Sequence, residues 1–161
     1  MIFLLFFLSL VALRIGELIL SKRNENWLLA NGAIEYGKSH YPWMIALHVL
    51  FFISLLMEYY FQTSVSCNYS LLFLFVGLTA LKVLIIKSLG KFWTTKIYRI
   101  PNVALIKRGA YKYFKHPNYT IVIFEIAIIP LTFHLYFTTI VFSILNAAML
   151  YVRISEENKI L

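Results

Sequence analysis

The sequence predicts an all-α integral membrane protein with about five transmembrane helices. Of its 161 residues, 61% are hydrophobic and only 14% are charged, whereas an average soluble domain has about 25% charged residues. The mean hydropathy is +0.77. Several apolar runs also approach or exceed the roughly 17 to 25 residues that a helix needs to cross a bilayer. These observations favour a multi-pass protein of the cell membrane.

Five apolar runs account for the predicted transmembrane helices. In chain order they are residues 2–20, 42–61, 69–89, 119–135 and 136–152. The first run lacks the basic leader of a signal peptide and continues through Arg14 and Glu17, so we expect a retained helix. The last two runs almost abut, which predicts a C-terminal helical hairpin with Pro130 and His134 before its turn. We expect one membrane-embedded domain over residues 1–161.

Basic residues concentrate between the third and fourth runs. From Lys87 to His116 the chain carries eight Lys or Arg residues and no Asp or Glu. Short cytoplasmic loops show this excess, so we expect this segment, the loop with Lys22 and Arg23, and the C-terminus in the cytosol, with the N-terminus outside. Attraction to anionic membrane lipid is then expected. No nucleic-acid partner is expected, because no soluble basic domain presents the charge.

The segment 90–115 is the longest piece outside the predicted spans. Its first part reads GKFWTTKIYRIP, and the motif GAYKYFKHPNY closes it and leads into the fourth run. Aromatic residues alternate with cations here, which is typical of a segment that lies in the headgroup layer. Function is therefore expected in the helix bundle or on its cytosolic rim.

The fifth run carries a polar stripe. Its members follow one another at offsets of four, three, seven and four residues and so share one helix face; they are Thr139, Ser143, Asn146, Arg153 and Glu157. Polar groups are costly in hydrocarbon, so this face should meet protein or a cavity. Interhelical hydrogen bonding explains Thr139 and Ser143. For the other three residues, packing and a ligand pocket that opens to the cytosol both remain open.

The fourth run begins with KHPNY and contains a carboxylate. Pro117 suits the first helical turn, where its missing N–H is not needed. Glu125 lies about two turns inside the run, where a charge costs on the order of 2.5–3.5 kcal/mol on insertion scales. Glu125 should therefore form an ion pair with an arginine or lysine of the bundle, be protonated, or contact a polar ligand.

Other intramembrane polar residues have simpler explanations. Arg14 and Glu17 are three residues apart on one helix and are expected to pair with each other. Lys82 and Lys87 are expected to extend to the cytosolic interface. No metal site is expected, because the chain has a single cysteine and only isolated intramembrane histidines.

Taken together, these motifs resemble the isoprenylcysteine carboxyl methyltransferase family. The family pattern of G-x-Y, a basic residue with HPxY, a glutamate in the next helix and a terminal R-x-x-E-E is matched by GAYKYFKHPNY, Glu125 and RISEENKIL. The stretches RIGELILSKRN, GAIEYGKSHYPWMIALH and GKFWTTKIYRIP resemble a small bacterial branch that is often encoded beside type III polyketide synthases. At Lys115 the family commonly has arginine, so a cation is kept but the bidentate fork is lost.

This resemblance implies a membrane O-methyltransferase that uses S-adenosylmethionine without a Rossmann domain. The cofactor would occupy a cytosol-facing pocket within residues 90–161. The implied cofactor contacts are Val103, Leu105, Ile106, Tyr111, His116, Pro117, Asn118, Tyr119 and Glu157. Arg153 would be the catalytic residue that faces the acceptor, and Glu125 and Asn146 are further expected substrate contacts.

The expected acceptor is a lipophilic small molecule. An alkylpyrone-type polyketide is preferred over a prenylated cysteine, and a type III polyketide synthase would then be a functional partner. An acceptor oxygen that is anionic near neutral pH needs little base catalysis, and the guanidinium of Arg153 could hold it. Two alternatives stay open, an NADPH-dependent membrane reductase, since sterol reductases have a similar HPxY and paired-glutamate ending, and a non-catalytic membrane subunit.

Overall fold

The computed structural model describes residues 1–160, which are mostly helical. The α-helices of this range are α1 (Ile2–Ala30), α2 (Tyr41–Phe61), α3 (Tyr69–Leu89), α4 (Pro117–Leu131) and α5 (Tyr136–Asn158). Strands β1 (Ile34–Tyr36) and β2 (Ile97–Arg99) pair antiparallel, with Glu35 opposite Tyr98. The predicted helical membrane class is confirmed, and the small sheet is an addition that the sequence did not predict.

Four of the helices within residues 1–160 are long and apolar enough to cross a membrane, namely α1, α2, α3 and α5. Helix α4 has 15 residues, so at 1.5 Å per residue it measures about 22 Å, less than the roughly 30 Å hydrocarbon core of a bilayer. The expectation of a fifth span over residues 119–135 was therefore wrong in length. The helix ends at Leu131 because His134 adopts a left-handed φ of 58° and turns the chain.

The predicted C-terminal hairpin is present. Residues between Leu131 and Tyr136 form its turn, and Glu58 of α2 fixes the start of α5. The carboxylate of Glu58 accepts hydrogen bonds from the backbone N–H groups of Phe137 and Thr138 at 2.9 and 2.8 Å. An acidic side chain is favourable there because it satisfies free N–H groups and meets the positive end of the helix dipole.

An aromatic core fills the end of the bundle near the hairpin turn. Phe3 of α1 stacks on Tyr59 of α2 with ring centroids 3.7 Å apart and meets Phe133 edge-on at 5.1 Å. Phe6 packs against Phe75 of α3 at 5.1 Å. Because apolar packing occupies this end, the polar residues of the chain collect in the middle and at the opposite end.

A ring of four charges joins α1, α3 and α4 inside the bundle. Arg14 contacts Glu17 at 2.7 Å and Glu125 at 3.0 Å, and Lys82 contacts the same two carboxylates at 2.7 and 2.9 Å. The predicted pairing of Arg14 with Glu17 is confirmed. The expectation that Lys82 reaches the interface was wrong, because its side chain is buried between the two carboxylates. Glu125 therefore forms ion pairs with Arg14 and Lys82, which was one of the alternatives expected from the sequence.

Helix α1 does not stop at residue 20 but continues to Ala30, so the expected loop with Lys22 and Arg23 is helical. Its last turns hold the segment after α3. The side-chain amide of Asn24 donates to the carbonyl oxygens of Gly90 and Trp93 at 3.1 and 2.7 Å. Contacts of Ser21 and Glu25 with the same segment complete this set, and we call Ser21, Asn24 and Glu25 the α1 clamp.

Candidate functional site

A cavity of about 500 Å³ lies at the end of the bundle away from the aromatic core. Small-molecule sites typically measure about 300–1,000 Å³. Its walls come from the segment between α3 and α4, the first turn of α4 and the last turns of α5, including Trp93, Ile97, Tyr98, Val103, Leu105, Ile106, Tyr111, His116, Asn118, Tyr119, Arg153 and Glu157. The predicted cytosol-facing part of the chain, residues 90–161, therefore supplies nearly all of this cavity.

Most of the residues expected at the site do line this cavity. They are Val103, Leu105, Ile106, Tyr111, His116, Asn118, Tyr119, Arg153 and Glu157. Three expected residues lie elsewhere. Pro117 is buried in the first turn of α4, Glu125 belongs to the charge ring, and Asn146 is buried on α5 two turns before Arg153. The structure therefore does not bring Glu125 or Asn146 to the cavity as substrate contacts.

Tyr119 connects two charged residues of the cavity wall, Arg153 and Glu157. Its hydroxyl donates to Oε2 of Glu157 at 2.6 Å and accepts from Nε of Arg153 at 2.8 Å. The guanidinium carbon of Arg153 lies 5.3 Å from the centre of the tyrosine ring. Hydrogen bonds that involve charged groups are about twice as strong as neutral ones. This arrangement therefore fixes the positions of all three side chains.

Helix geometry explains why these residues meet. Arg153 and Glu157 are four residues apart on α5 and so lie on one face, while Pro117 starts α4 and places Tyr119 in its first turn. His116, the residue before Pro117, stacks its ring on that of Tyr119 at 5.3 Å with 13° between the planes. Its Nδ1 lies 3.3 Å from Oε2 of Glu157.

The polar stripe of α5 is only partly as expected. Asn146 and Arg153 are buried, but the hydroxyl of Thr139 donates to the carbonyl of Leu135 at 2.8 Å within its own chain segment. Thr138, which was not expected, is buried and shares a 2.7 Å hydrogen bond with Ser54 of α2. The expectation of an interhelical hydrogen bond for Thr139 was therefore wrong, and the C-terminal members of the stripe, Arg153 and Glu157, line the cavity.

Three buried polar atoms on cavity-lining residues have no hydrogen-bond partner within residues 1–160. They are Nε1 of Trp93, Nε2 of His116 and Oδ1 of Asn118. Buried polar groups are normally paired, because leaving one unpaired costs about 1–3 kcal/mol. These atoms are therefore available to form hydrogen bonds with a polar ligand. Trp93 was not predicted as a site residue, because its only signal was its place in the aromatic and cationic segment GKFWTTKIYRIP.

Among the charged residues that line the cavity, one carboxylate, Glu157, lies among six cationic residues, namely Lys96, Arg99, Lys107, Lys112, Lys115 and Arg153. Burial and the negative charge of Glu157 together raise the pKa of Tyr111, so its phenol stays protonated at physiological pH and can donate. Lys115, the departure from the expected arginine, donates to Oδ1 of Asn158 at 2.6 Å. The cation at Lys115 is therefore held next to the last turn of α5, beside Glu157.

Arg153 also faces a second helix. Its Nη1 donates to Sδ of Met44 on α2 at 2.8 Å, although a thioether sulfur is a weak acceptor. Arg153 is only 6% exposed. One buried guanidinium therefore reaches the cavity wall through Tyr119 and the first turns of α2 through Met44.

Comparison with known proteins places this chain in a family. Residues 71–161 match the model of the isoprenylcysteine carboxyl methyltransferase family. The chain is 42% identical to the protein YpbQ of Bacillus subtilis strain 168 over 157 residues, which cover 94% of this chain and 92% of that protein. It is 31% identical to a protein of Haemophilus influenzae strain Rd over 154 residues, or 94% and 90% of the two chains. Both relatives are described as uncharacterized.

No solved structure matches the chain. The family match covers α3, the cavity segment and the hairpin, and the two relatives extend the likeness over nearly the whole chain. The protein is therefore a multi-pass membrane protein that belongs to the isoprenylcysteine carboxyl methyltransferase family, a family of methyltransferases.

Proposed function

We propose that this protein is an S-adenosylmethionine-dependent O-methyltransferase whose acceptor is a lipophilic molecule dissolved in the membrane. The observation that carries this proposal is the joining of Glu157 and Arg153 by the hydroxyl of Tyr119 on one cavity wall. The carboxylate suits the positive groups of the cofactor, and the guanidinium suits an acidic oxygen. A water-soluble charged ligand and an oily acceptor can thus meet at adjacent side chains.

The residues of the cavity fit S-adenosylmethionine. Trp93, His116 and Asn118 offer unpaired polar atoms to adenosine and amino-acid groups, and Glu157 offers a negative charge. The ring of Tyr111 offers a face to a cation, an attraction of roughly 0.5–2 kcal/mol. The cofactor would supply an electrophilic methyl carbon on a sulfonium.

Arg153 is proposed as the catalytic residue. A guanidinium stays protonated and cannot act as a base, but it can hold an acceptor oxygen that is already anionic. When bound, the cofactor would supply the methyl group with its thioether as the leaving group, and Arg153 would hold the oxygen that accepts the methyl group. Positioning of the reactants would then supply much of the acceleration.

An alkylpyrone-type polyketide is the proposed acceptor. Its hydroxyl is acidic enough to ionise near neutral pH, and its alkyl tail partitions into the bilayer, where residues 42–57 of α2 contain no Asp, Glu, Lys or Arg. A type III polyketide synthase would supply such a molecule. A prenylated cysteine carboxylate offers the same pairing of an anion with an apolar tail and is the second candidate.

The cavity is proposed to face the cytosol, where the cofactor is made. The support is the run of eight Lys and Arg residues from Lys87 to Lys115, which contains no acidic residue and surrounds the cavity segment. Short loops rich in Lys and Arg remain on the cytosolic side of the membrane. The N-terminus of α1 would then lie outside.

Calorimetry in detergent tests the cofactor site. S-adenosylhomocysteine should bind to the wild type, and its binding should be lost in His116→Ala and Glu157→Ala. His134→Ala is the matched control, because His134 lies in the hairpin turn at the other end of the bundle. Unchanged binding in the two cavity variants, or binding of NADPH in its place, would reject the proposal. Labelled S-adenosylmethionine with a lipid extract, followed by mass analysis, then identifies the acceptor.

A further inference from the structure

His40 is a buried polar side chain that the cavity does not use. It directly precedes α2, is only 7% exposed and makes no side-chain capping hydrogen bond to that helix. Its Nδ1 has no hydrogen-bond partner within residues 1–160. A buried imidazole nitrogen without a partner costs stability, so this arrangement needs an explanation other than packing.

The neighbouring glycine holds the imidazole ring in place. Gly37 has a left-handed φ of 63°, and a Cβ at this position would collide with the ring of His40. The backbone can thus approach the ring only because residue 37 is a glycine. The close contact with Gly37 therefore restricts the imidazole ring of His40 to one position.

His40 lies on the same side of α2 as Met44, which contacts Arg153. The two residues are four apart, and the backbone N–H of Met44 donates to the carbonyl of His40 at 3.1 Å. Burial lowers the pKa of His40, and the positive charge of Arg153 lowers it further, against the opposing charge of Glu156. The imidazole is therefore neutral near pH 7, and one of its two nitrogens carries a hydrogen.

We propose that His40 and Arg153 together bind the acidic oxygen of the acceptor, on the side of Arg153 that faces α2. The inference rests on the proposed function and extends it to a residue outside the cavity. Nδ1–H of His40 donates one hydrogen bond to the oxygen. Nη1 of Arg153 donates a second by exchanging the weak sulfur acceptor of Met44 for an anion.

In this arrangement the guanidinium of Arg153 would serve both the cofactor and the acceptor through different nitrogen atoms. Nε of Arg153 bonds to Tyr119 on the cofactor side, and Nη1 points to α2 on the opposite side. The ligand class is a weakly acidic enol or phenol with a long alkyl tail, because residues 42–57 of α2 offer the tail only uncharged surroundings. His40 is then a substrate-binding residue that selects for an ionisable hydroxyl.

Binding measurements with defined probes test this site. A long-chain alkyl hydroxypyrone and its O-methylated counterpart are titrated into the detergent-solubilised full chain, and S-adenosylhomocysteine is titrated separately. His40→Phe keeps a ring but removes both nitrogens. We expect it to weaken hydroxypyrone binding at least about tenfold, the size expected for a lost hydrogen bond to a charged group, with no change for the methylated probe or for S-adenosylhomocysteine.

Two further variants make the result decisive. Gly37→Ala keeps the imidazole but forces it to move, so it should weaken hydroxypyrone binding in the same direction. His48→Phe removes another histidine of α2, whose Nδ1 already contacts the carbonyl oxygen of Met44 at 2.8 Å, and should leave hydroxypyrone binding unchanged.

The outcomes separate this inference from the proposed function. Equal hydroxypyrone affinity in wild type and His40→Phe, or no hydroxypyrone binding to the wild type, overturns the His40 site even where S-adenosylhomocysteine binds normally. Loss of S-adenosylhomocysteine binding in His40→Phe also overturns it, because the residue would then act on the cofactor side or on the fold. Failure of the wild type to bind S-adenosylhomocysteine instead rejects the methyltransferase proposal.

Discussion

The hydroxyl of Tyr119 lies 2.6 Å from a carboxylate oxygen of Glu157 and donates its hydrogen to it. The two residues are 38 positions apart and belong to different helices of the hairpin. The same hydroxyl accepts a hydrogen bond from Arg153. The phenol of Tyr119 thus sets the distance between the carboxylate of Glu157 and the guanidinium of Arg153.

Replacement of Tyr119 by phenylalanine should uncouple these charges. Tyr119→Phe keeps the ring that faces Arg153 but removes both hydrogen bonds, so we expect methyl transfer to fall at least about tenfold, since hydrogen bonds to charged groups contribute about 1.5–3 kcal/mol. Initial rates and the melting temperature are measured together. Tyr151→Phe, at an exposed tyrosine of α5 that is not among the cavity-lining residues, is the control and should match the wild type. Equal rates in both variants would contradict the role of Tyr119.

Arg153→Lys should separate turnover from cofactor affinity. A lysine keeps the charge but cannot donate to Tyr119 and to the α2 side in the fork geometry of a guanidinium. We expect kcat to fall by about tenfold to a hundredfold, the effect of losing a charge-assisted bond, with a smaller change in the affinity for S-adenosylhomocysteine. Single-turnover rates and calorimetry provide the two values. Equal losses in both would reject the assignment of Arg153 to the acceptor.

The charge ring should be a stability element. Lys82→Met leaves Glu17 and Glu125 with Arg14 alone, and breaking a buried ion pair costs about 3–5 kcal/mol. Thermal unfolding in detergent should therefore shift down by on the order of 10 °C. The double variant Lys82→Met/Glu125→Gln should recover part of this loss, because it also removes one uncompensated charge.

Lys87→Met is the matched control for this ring, since Lys87 is an exposed lysine one and a half turns further along α3. It should unfold like the wild type. The stability role fails if Lys82→Met and Lys87→Met unfold at the same temperature.

The α1 clamp should hold the wall of the cavity. Asn24→Ala removes the donor to Gly90 and Trp93, which leaves the buried carbonyl of Trp93 unpaired at about 1–3 kcal/mol. Hydrogen exchange of residues 93–98 should accelerate, and S-adenosylhomocysteine should bind more weakly. Asn31→Ala removes only an exposed contact with the carbonyl of Trp27 and should change neither quantity. Unchanged exchange in Asn24→Ala would contradict the clamp.

Residues with a periodic or local signal were predicted from the sequence. Arg153 and Glu157 stand out because a spacing of four places two charges on one face of an apolar helix, and Tyr119 follows a proline that marks a helix start. The other named cavity residues lie in the segment before α4 or at its first turn, and the resemblance to the family implied them. Their meeting at one cavity follows from the hairpin, which was itself predicted from two abutting apolar runs.

Residues joined only by the tertiary fold were not predicted. Asn24 contacts residues more than 60 positions away, and no periodicity connects them. Lys82 looked like an interfacial lysine because its two partner carboxylates belong to other helices. The end of α4 was missed for a different reason, since the left-handed residue of the turn is His134 and not the glycine or asparagine that usually signals it.

Helix α4 is shorter than the hydrocarbon core of a bilayer, so we expect the membrane to deform locally around it. A bilayer that meets a helix about 8 Å shorter than its hydrocarbon core thins around it, or lets headgroups and water sink toward it, at a modest cost per ångström. Since α4 begins at the cavity, we expect the polar surface of the bilayer to be drawn inward at the cavity, where the proposed cofactor and acceptor would meet. We therefore expect the acyl-chain length of the surrounding lipids to affect how easily ligands reach the cavity.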